Sequence, residues 1–264
     1  MLTNAQVKQI RGLQQKKFRY EFGEYLIQGE KIVLEALQAE TMPKLIIGNE
    51  AWINAHESML KPSDFVIANE KQLSQISSLK TPAPVVAIMP MENATKFSSD
   101  TFDGELVLAL DFVQDPGNFG TILRIADWYG VRHIICSENT VDYTNPKVIQ
   151  STMGAFLRVK IHYLNLMPFI SDYKSHFPDY PVLGSFMNSD NMLELNPVQY
   201  GMLVMGNEGN GISPEIDALC TLRIAIPGYP GNNHGMESLN VATATAVLLS
   251  ELRRPFIKTR KLSS

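Results

Sequence analysis

Short β-rich runs alternate with helical patterns along most of this chain, and that alternation limits the fold more than any other feature. Between residues 105 and 257 six such runs stand out: ELVLAL (105–110), HIIC (133–136), LRVKIH (157–162), PVLGSF (181–186), GMLVM (201–205) and LRIAIP (222–227). Helical patterns separate most of them, and a last helix is expected from about Ser238 to Arg253. Parallel neighbours need long crossovers, which helices supply, so the pattern predicts an α/β fold with a largely parallel sheet. A smaller α/β unit precedes it. Its expected elements are an opening helix, strands near 25–28, 44–48, 65–68 and 85–89, and helices over 30–39 and 70–78. The stretch 91–104 is polar, with Gly and Ser and little periodicity, and reads as a linker. The predicted division is thus 1–90, a linker over 91–104, a second domain over 105–257 and a tail over 258–264.

The chain has 264 residues, enough for two cores, with 45% apolar and 19% charged residues, as in a soluble globular protein. The two cysteines supply neither a disulfide framework nor a thiolate metal site, and the five histidines lack metal-ligand spacing. No apolar run approaches a membrane span, and the N-terminus lacks a signal peptide's apolar core. A reducing, cytoplasmic setting without metal or membrane is expected. The net charge of −4 weighs against a nucleic-acid partner, although a local basic surface is compatible with it. Lys8, Arg11, Lys16, Lys17 and Arg19, with Phe18 and Tyr20 among them, form one basic stretch. A solvated helix face is the commoner reading of such a run; a phosphate-contacting edge is the sharper one.

Three blocks carry chemistry. The first, DFVQDPGNFGTILR (111–124), follows a strand and enters a helix that Asn118 could cap. It places Gly120 and Arg124 at the mouth of the sheet, where open α/β folds bind ligands. The second, MGNEGNGIS (205–213), has three glycines in six residues around Glu208, letting backbone pass close to a ligand. Its GxxGxG order and the Pro at 214 fit a dinucleotide fingerprint poorly, which leaves a nucleotide-dependent oxidoreductase a weak alternative. The third, IPGYPGNNHGMESLNVATATAVLLSEL (226–252), ends a strand, passes a glycine-rich loop and starts a helix. Ser238 is the expected N-cap there; Asn240 is less well explained by capping.

Taken in order, the blocks resemble the three motifs of the SpoU (TrmH-like) family of RNA 2′-O-ribose methyltransferases, within the SPOUT superfamily. The matching positions are Asn118, Gly120 and Arg124, then Gly206, Asn207, Glu208 and Gly209, and last Ile226, Pro227, Ser238, Leu239, Asn240 and Val241. The stretch from Asn4 to Leu37 looks similar to the L30e-like substrate-binding domain that precedes the catalytic domain in many members.

The resemblance implies a SPOUT-type parallel sheet with a C-terminal trefoil knot, a homodimer, an RNA substrate (ribosomal or transfer RNA) and S-adenosylmethionine as cofactor. It implies that Met205, Gly206, Gly209, Ile226, Leu239 and Val241 line the cofactor pocket. Arg124, Asn118, Glu208, Ser238 and Asn240 would form the catalytic group. Family proposals make the arginine the base. A guanidinium is hard to deprotonate, so phosphate binding and stabilisation of the developing alkoxide suit Arg124 better. A non-catalytic RNA-binding or assembly protein on the same scaffold is the alternative. The loop GYPGNNHGME (228–237), with His234, is longer than the family's and is expected to bulge outward.

Overall fold

The computed structural model describes residues 2–39, 42–61, 64–91, 99–192, 197–229 and 238–257. The first elements are α1 (Asn4–Gly12), α2 (Lys16–Phe22), β1 (Glu24–Gln28), α3 (Glu30–Ala36), β2 (Leu45–Gly48), α4 (Glu50–Ala55), β3 (Phe65–Ile67), α5 (Glu70–Ile76) and β4 (Val85–Pro90). There follow β5 (Leu106–Leu110), α6 (Pro116–Trp128), β6 (His133–Cys136), α7 (Pro146–Thr152), β7 (Lys160–Tyr163) and α8 (Leu166–His176). The chain then forms β8 (Val182–Asn191), β9 (Gly201–Met205), α9 (Pro214–Asp217), β10 (Leu222–Ala225) and α10 (Val241–Ile257).

Two compact units result, one of Met1–Thr95 with Asp142–Leu157, the other of Lys96–Val141 with Arg158–Ser264. The linear reading keeps 142–157 with the second domain, yet this segment clusters with the first. The reason is a buried ion pair: the Arg19 guanidinium, 2% exposed, meets Asp142 at 2.7 Å and donates to Thr144 at 2.9 Å. It also donates to the carbonyls of Leu13 and Gln14 in the α1–α2 turn. Tyr25 adds edge-on ring contacts with Tyr143 and Phe156.

The first unit has a four-stranded sheet ordered β1-β4-β2-β3, antiparallel except between β2 and β3. Helix α1 opens with a Thr3–Gln6 capping box that satisfies free amides at its start. Val7, Ile10, Leu26, Ile47, Leu73, Val86 and Ile88 share its core.

The second unit has six strands ordered β10-β8-β9-β5-β6-β7, with every neighbouring pair parallel. Every residue of strands β5 and β9 is buried, as in interior strands covered on both faces. Each such fully buried aliphatic side chain contributes about 1.5–3 kcal/mol. From β5 the sheet grows through β6 and β7 on one side, and β9, β8 and β10 lie on the other. Connections leave the carboxyl ends of β5 and β9 beside each other, and such a reversal opens a crevice between loops. The run expected as a strand over 157–162 begins only at Lys160, because Ala155–Leu157 form a 3₁₀ turn.

Candidate active site

Leu110 of β5 pairs with Met205 of β9, so the first two sequence blocks start side by side. The backbone laces them at once: the Asp111 amide donates to the Met205 carbonyl at 2.8 Å. The Asp111 side chain, 7% exposed, accepts the Ser213 amide at 2.7 Å. Phe112 then adopts φ 65°, a conformation costly for an L residue with a side chain. It is held from two sides. Its amide donates to the Ser137 hydroxyl at 2.9 Å, and its carbonyl accepts Asn207 Nδ2 at 2.9 Å.

Asn207 also shapes its own loop. Its Oδ1 accepts the amides of Gly209 and Asn210, and its backbone exchanges both hydrogen bonds with Gly211. The glycines there serve the loop itself. A Cβ at Gly206 would stand 2.2 Å from the Gly211 carbonyl carbon and 2.3 Å from the Ile212 nitrogen, main-chain atoms that cannot give way. Gly211 has φ +69°, a turn conformation. Gly206 and Gly211 thus have a structural need for glycine, in self-packing and turn geometry, beside the ligand approach expected from the sequence. Gly209 is exposed.

Helix α6 is capped by Asp115, whose Oδ1 accepts the Asn118 amide at 2.8 Å with Pro116 at the first helical position. The cap expected at Asn118 thus lies three residues earlier, and the Asn118 side chain is released for other use. Helix α10 shifts the other way. It starts at Val241, and Asn240 Oδ1 accepts the amides of Ala242 at 3.0 Å and Thr243 at 3.3 Å. Asn240, not Ser238, is the cap, since only its side chain lies within reach of those amides. Ser238 is exposed, and among the described residues it makes no hydrogen bond.

The three blocks meet in one cluster. Asn118 Nδ2 donates to Glu208 Oε1, and Asn240 Nδ2 donates to Asn118 Oδ1 at 2.9 Å and to Glu208 Oε1 at 3.4 Å. Each donor is oriented by its neighbour, and the chain of dipoles converges on the carboxylate. Among the described residues Glu208 Oε2 has no partner, so an acceptor faces outward from an exposed residue.

Arg124 stands outside this cluster. It lies six residues beyond Asn118, roughly 9 Å along the axis of α6 at 1.5 Å per residue. It is exposed, and among the described residues it makes no ion pair or hydrogen bond. Among the expected cofactor residues, Met205 and Val241 are buried, Ile226 is half-buried just past β10, and Leu239 is 44% exposed beside Asn240. His234 and residues 230–237 lie outside the described residues, as do 92–98 of the linker and the tail 258–264. Sequence reasoning placed Asn207 in the second motif without its bracing role, and missed Ser137 and the brace role of Asp111. A buried acid directly after an all-apolar strand was the one available signal.

Among the described residues no helix is long and apolar enough to cross a membrane, and no group of three His, Cys, Asp or Glu could hold a metal ion.

Residues 105–250 match the model of the SpoU rRNA Methylase family, and residues 4–87 that of the MRM3-like substrate binding domain. Over 260 residues the chain is 30% identical to the 23S rRNA (guanosine(2553)-2′-O)-methyltransferase RlmP of Bacillus subtilis, covering 95% of this chain and 96% of the relative. Among solved structures, an RNA methyltransferase described as of the TrmH family, from Porphyromonas gingivalis, superposes with a TM-score of 0.85 at 36% identity, covering 97% of this chain and 99% of that one. The AdoMet-bound rRNA methyltransferase from Sinorhizobium meliloti gives 0.82 at 30% identity, covering 97% and 96%.

Proposed function

The chain belongs to the SpoU rRNA methylase family and is an S-adenosylmethionine-dependent RNA ribose methyltransferase, and from that premise we propose that it methylates a 2′-hydroxyl of ribosomal RNA at the Asn118–Glu208–Asn240 cluster. The carrying observation is the convergence of those three side chains, one from each block. Ribosomal rather than transfer RNA is favoured by the Bacillus subtilis and Sinorhizobium meliloti relatives, both named for rRNA.

When bound, S-adenosylmethionine supplies an electrophilic methyl group on a sulfonium. Met205, Gly206, Gly209, Ile226, Leu239 and Val241 are proposed to line its pocket, the leucine and isoleucine offering apolar surface. The chain's remaining task is to hold the ribose oxygen in line and steady its charge. Arg124, exposed and unengaged among the described residues, binds the phosphate next to that ribose and stabilises the developing alkoxide. Glu208, oriented by Asn118 and Asn240, accepts from a ligand hydroxyl. Ser238, at the approach to α10, helps orient the ribose.

A C-terminal trefoil knot, a cytoplasmic setting and a homodimer belong to the same proposal. The dimer is supported by Trp128 on α6, 84% exposed, an apolar ring that a second copy would cover. Sedimentation of wild type against Trp128→Asp tests this; dimer for the first and monomer for the second is expected.

Labelled S-adenosylmethionine offered with ribosomal and with transfer RNA tests the main reading. Label is expected in ribosomal RNA. No transfer to either, together with no binding of S-adenosylmethionine in calorimetry, would favour the non-catalytic reading instead.

A further inference from the structure

Among the described residues, all but two of the positive-φ positions are glycine. The exceptions are Met153, φ 50°, and Phe112, φ 65°. Met153 caps the C-terminal end of α7, a place where left-handed residues are common. Phe112 has no such setting. It follows Asp111 just beyond the carboxyl end of β5, and at this φ a bulky side chain crowds its own backbone.

The turn demands the conformation but not the ring. The Ser137 hydroxyl and Asn207 Nδ2 hold the Phe112 amide and carbonyl from two other segments. Those bonds use only main-chain atoms of Phe112, so glycine or asparagine would serve them with less strain. Nor does the core claim the ring. Phe112 is half-buried, outside the set of buried apolar residues, and stacks on no other ring among the described residues. Strain of this kind persists where function uses it, at active sites and ligand clamps.

Its neighbours point to the ligand. Phe112 lies in the block that also carries Asn118 and Arg124, the latter assigned above to the RNA, and its carbonyl is tied to Asn207, the residue next to Glu208. The proposed cofactor pocket draws instead on the ends of β9 and β10 and the start of α10. Methylation of a ribose leaves the base untouched, yet the nucleotide must be held in line, and its base is the broadest surface to hold.

We propose that the Phe112 ring is a stacking surface for the base of the nucleotide being methylated, and that the strained backbone sets the ring against it. This rests on the chain being an RNA ribose methyltransferase, and adds to that reading a residue that determines how the substrate is held.

The test uses the full-length protein with unmodified ribosomal RNA transcribed in vitro and labelled S-adenosylmethionine. Phe112→Asn removes the ring and suits the turn. It should melt no lower than wild type and raise the KM for RNA about ten-fold, the scale of one lost base–ring stack, with kcat changing less. Phe112→Leu keeps the bulk without the ring and should raise KM alike, whereas Phe112→Tyr keeps both the ring and the KM. Wild-type KM in folded Phe112→Asn and Phe112→Leu would overturn the proposal. So would weakened S-adenosylmethionine binding in calorimetry with the KM for RNA unchanged, which would give the ring to the cofactor's adenine. Wild-type protein that transfers no methyl group to any RNA would sink the functional reading and this proposal with it; the failures are distinguished because only the first two leave wild-type turnover intact.

Discussion

In the first unit the Arg19 guanidinium engages a partner with Nε and with both terminal nitrogens, and is 2% exposed. In the second, Arg124 is exposed with no partner among the described residues. The carboxylates differ likewise. Asp142 is closed in by Arg19 and Thr144, whereas Glu208 is held through one oxygen and presents the other. A satisfied polar group stabilises; an oriented but unsatisfied one is ready for a ligand. The two arginines and the two carboxylates thus differ in their partners: the scaffold pair is satisfied, and the pair proposed for the chemistry is left open.

That contrast can be broken most severely at Arg124. Arg124→Ala should lower kcat by about 10²–10³ or more, as expected for losing one group that stabilises developing charge. Its stability should stay within about 0.5 kcal/mol of wild type, and calorimetry should find cofactor affinity intact. At Arg19 the expectation inverts. Arg19→Ala strands a buried carboxylate and should cost about 3–5 kcal/mol in urea unfolding, while Arg19→Met combined with Asp142→Leu recovers most of it. A stable Arg19→Ala protein, or a collapsed Arg124→Ala protein, would erase the distinction.

Asn207 lies between the two cases, since it braces the strained Phe112 turn without facing outward. Asn207→Ala should cost about 1–2 kcal/mol and lower kcat more than it raises KM for RNA. A smaller effect comes from pH. His133 and His162 stack at 5.5 Å on β6 and β7, with Phe102 edge-on to both rings. Burial, then the neighbouring His133 and Lys160, push His162 down from 6.5 to about 4. The unfolded chain therefore binds the proton more readily. Stability is full above about pH 6.5, falls on acidification and levels off near pH 4. Urea midpoints for wild type and His162→Gln should diverge only in that window.

Much of the second unit was readable from local pattern. HIIC and GMLVM coincide with β6 and β9, because fully buried parallel strands are short apolar runs with sharp ends. Strand β7 was misplaced because it is a half-exposed edge, with weak contrast between its faces. The helix caps slipped because Asp115, Asn118, Ser238 and Asn240 are all competent capping residues, and only backbone geometry chooses among them. The three chemical blocks were legible as motifs. That Asn118, Glu208 and Asn240 touch was not, since they are 32 to 122 residues apart. Nor could a basic run reveal that one of its five members is buried against an aspartate 123 residues away.

The most direct test concerns where the methyl group lands. Ribosomal RNA methylated with label from S-adenosylmethionine is hydrolysed in alkali, which cleaves wherever a free 2′-hydroxyl can attack the neighbouring phosphate. The account predicts that label stays in an alkali-resistant dinucleotide and disappears with Arg124→Ala. Label recovered in mononucleotides, as a base modification would give, would contradict it.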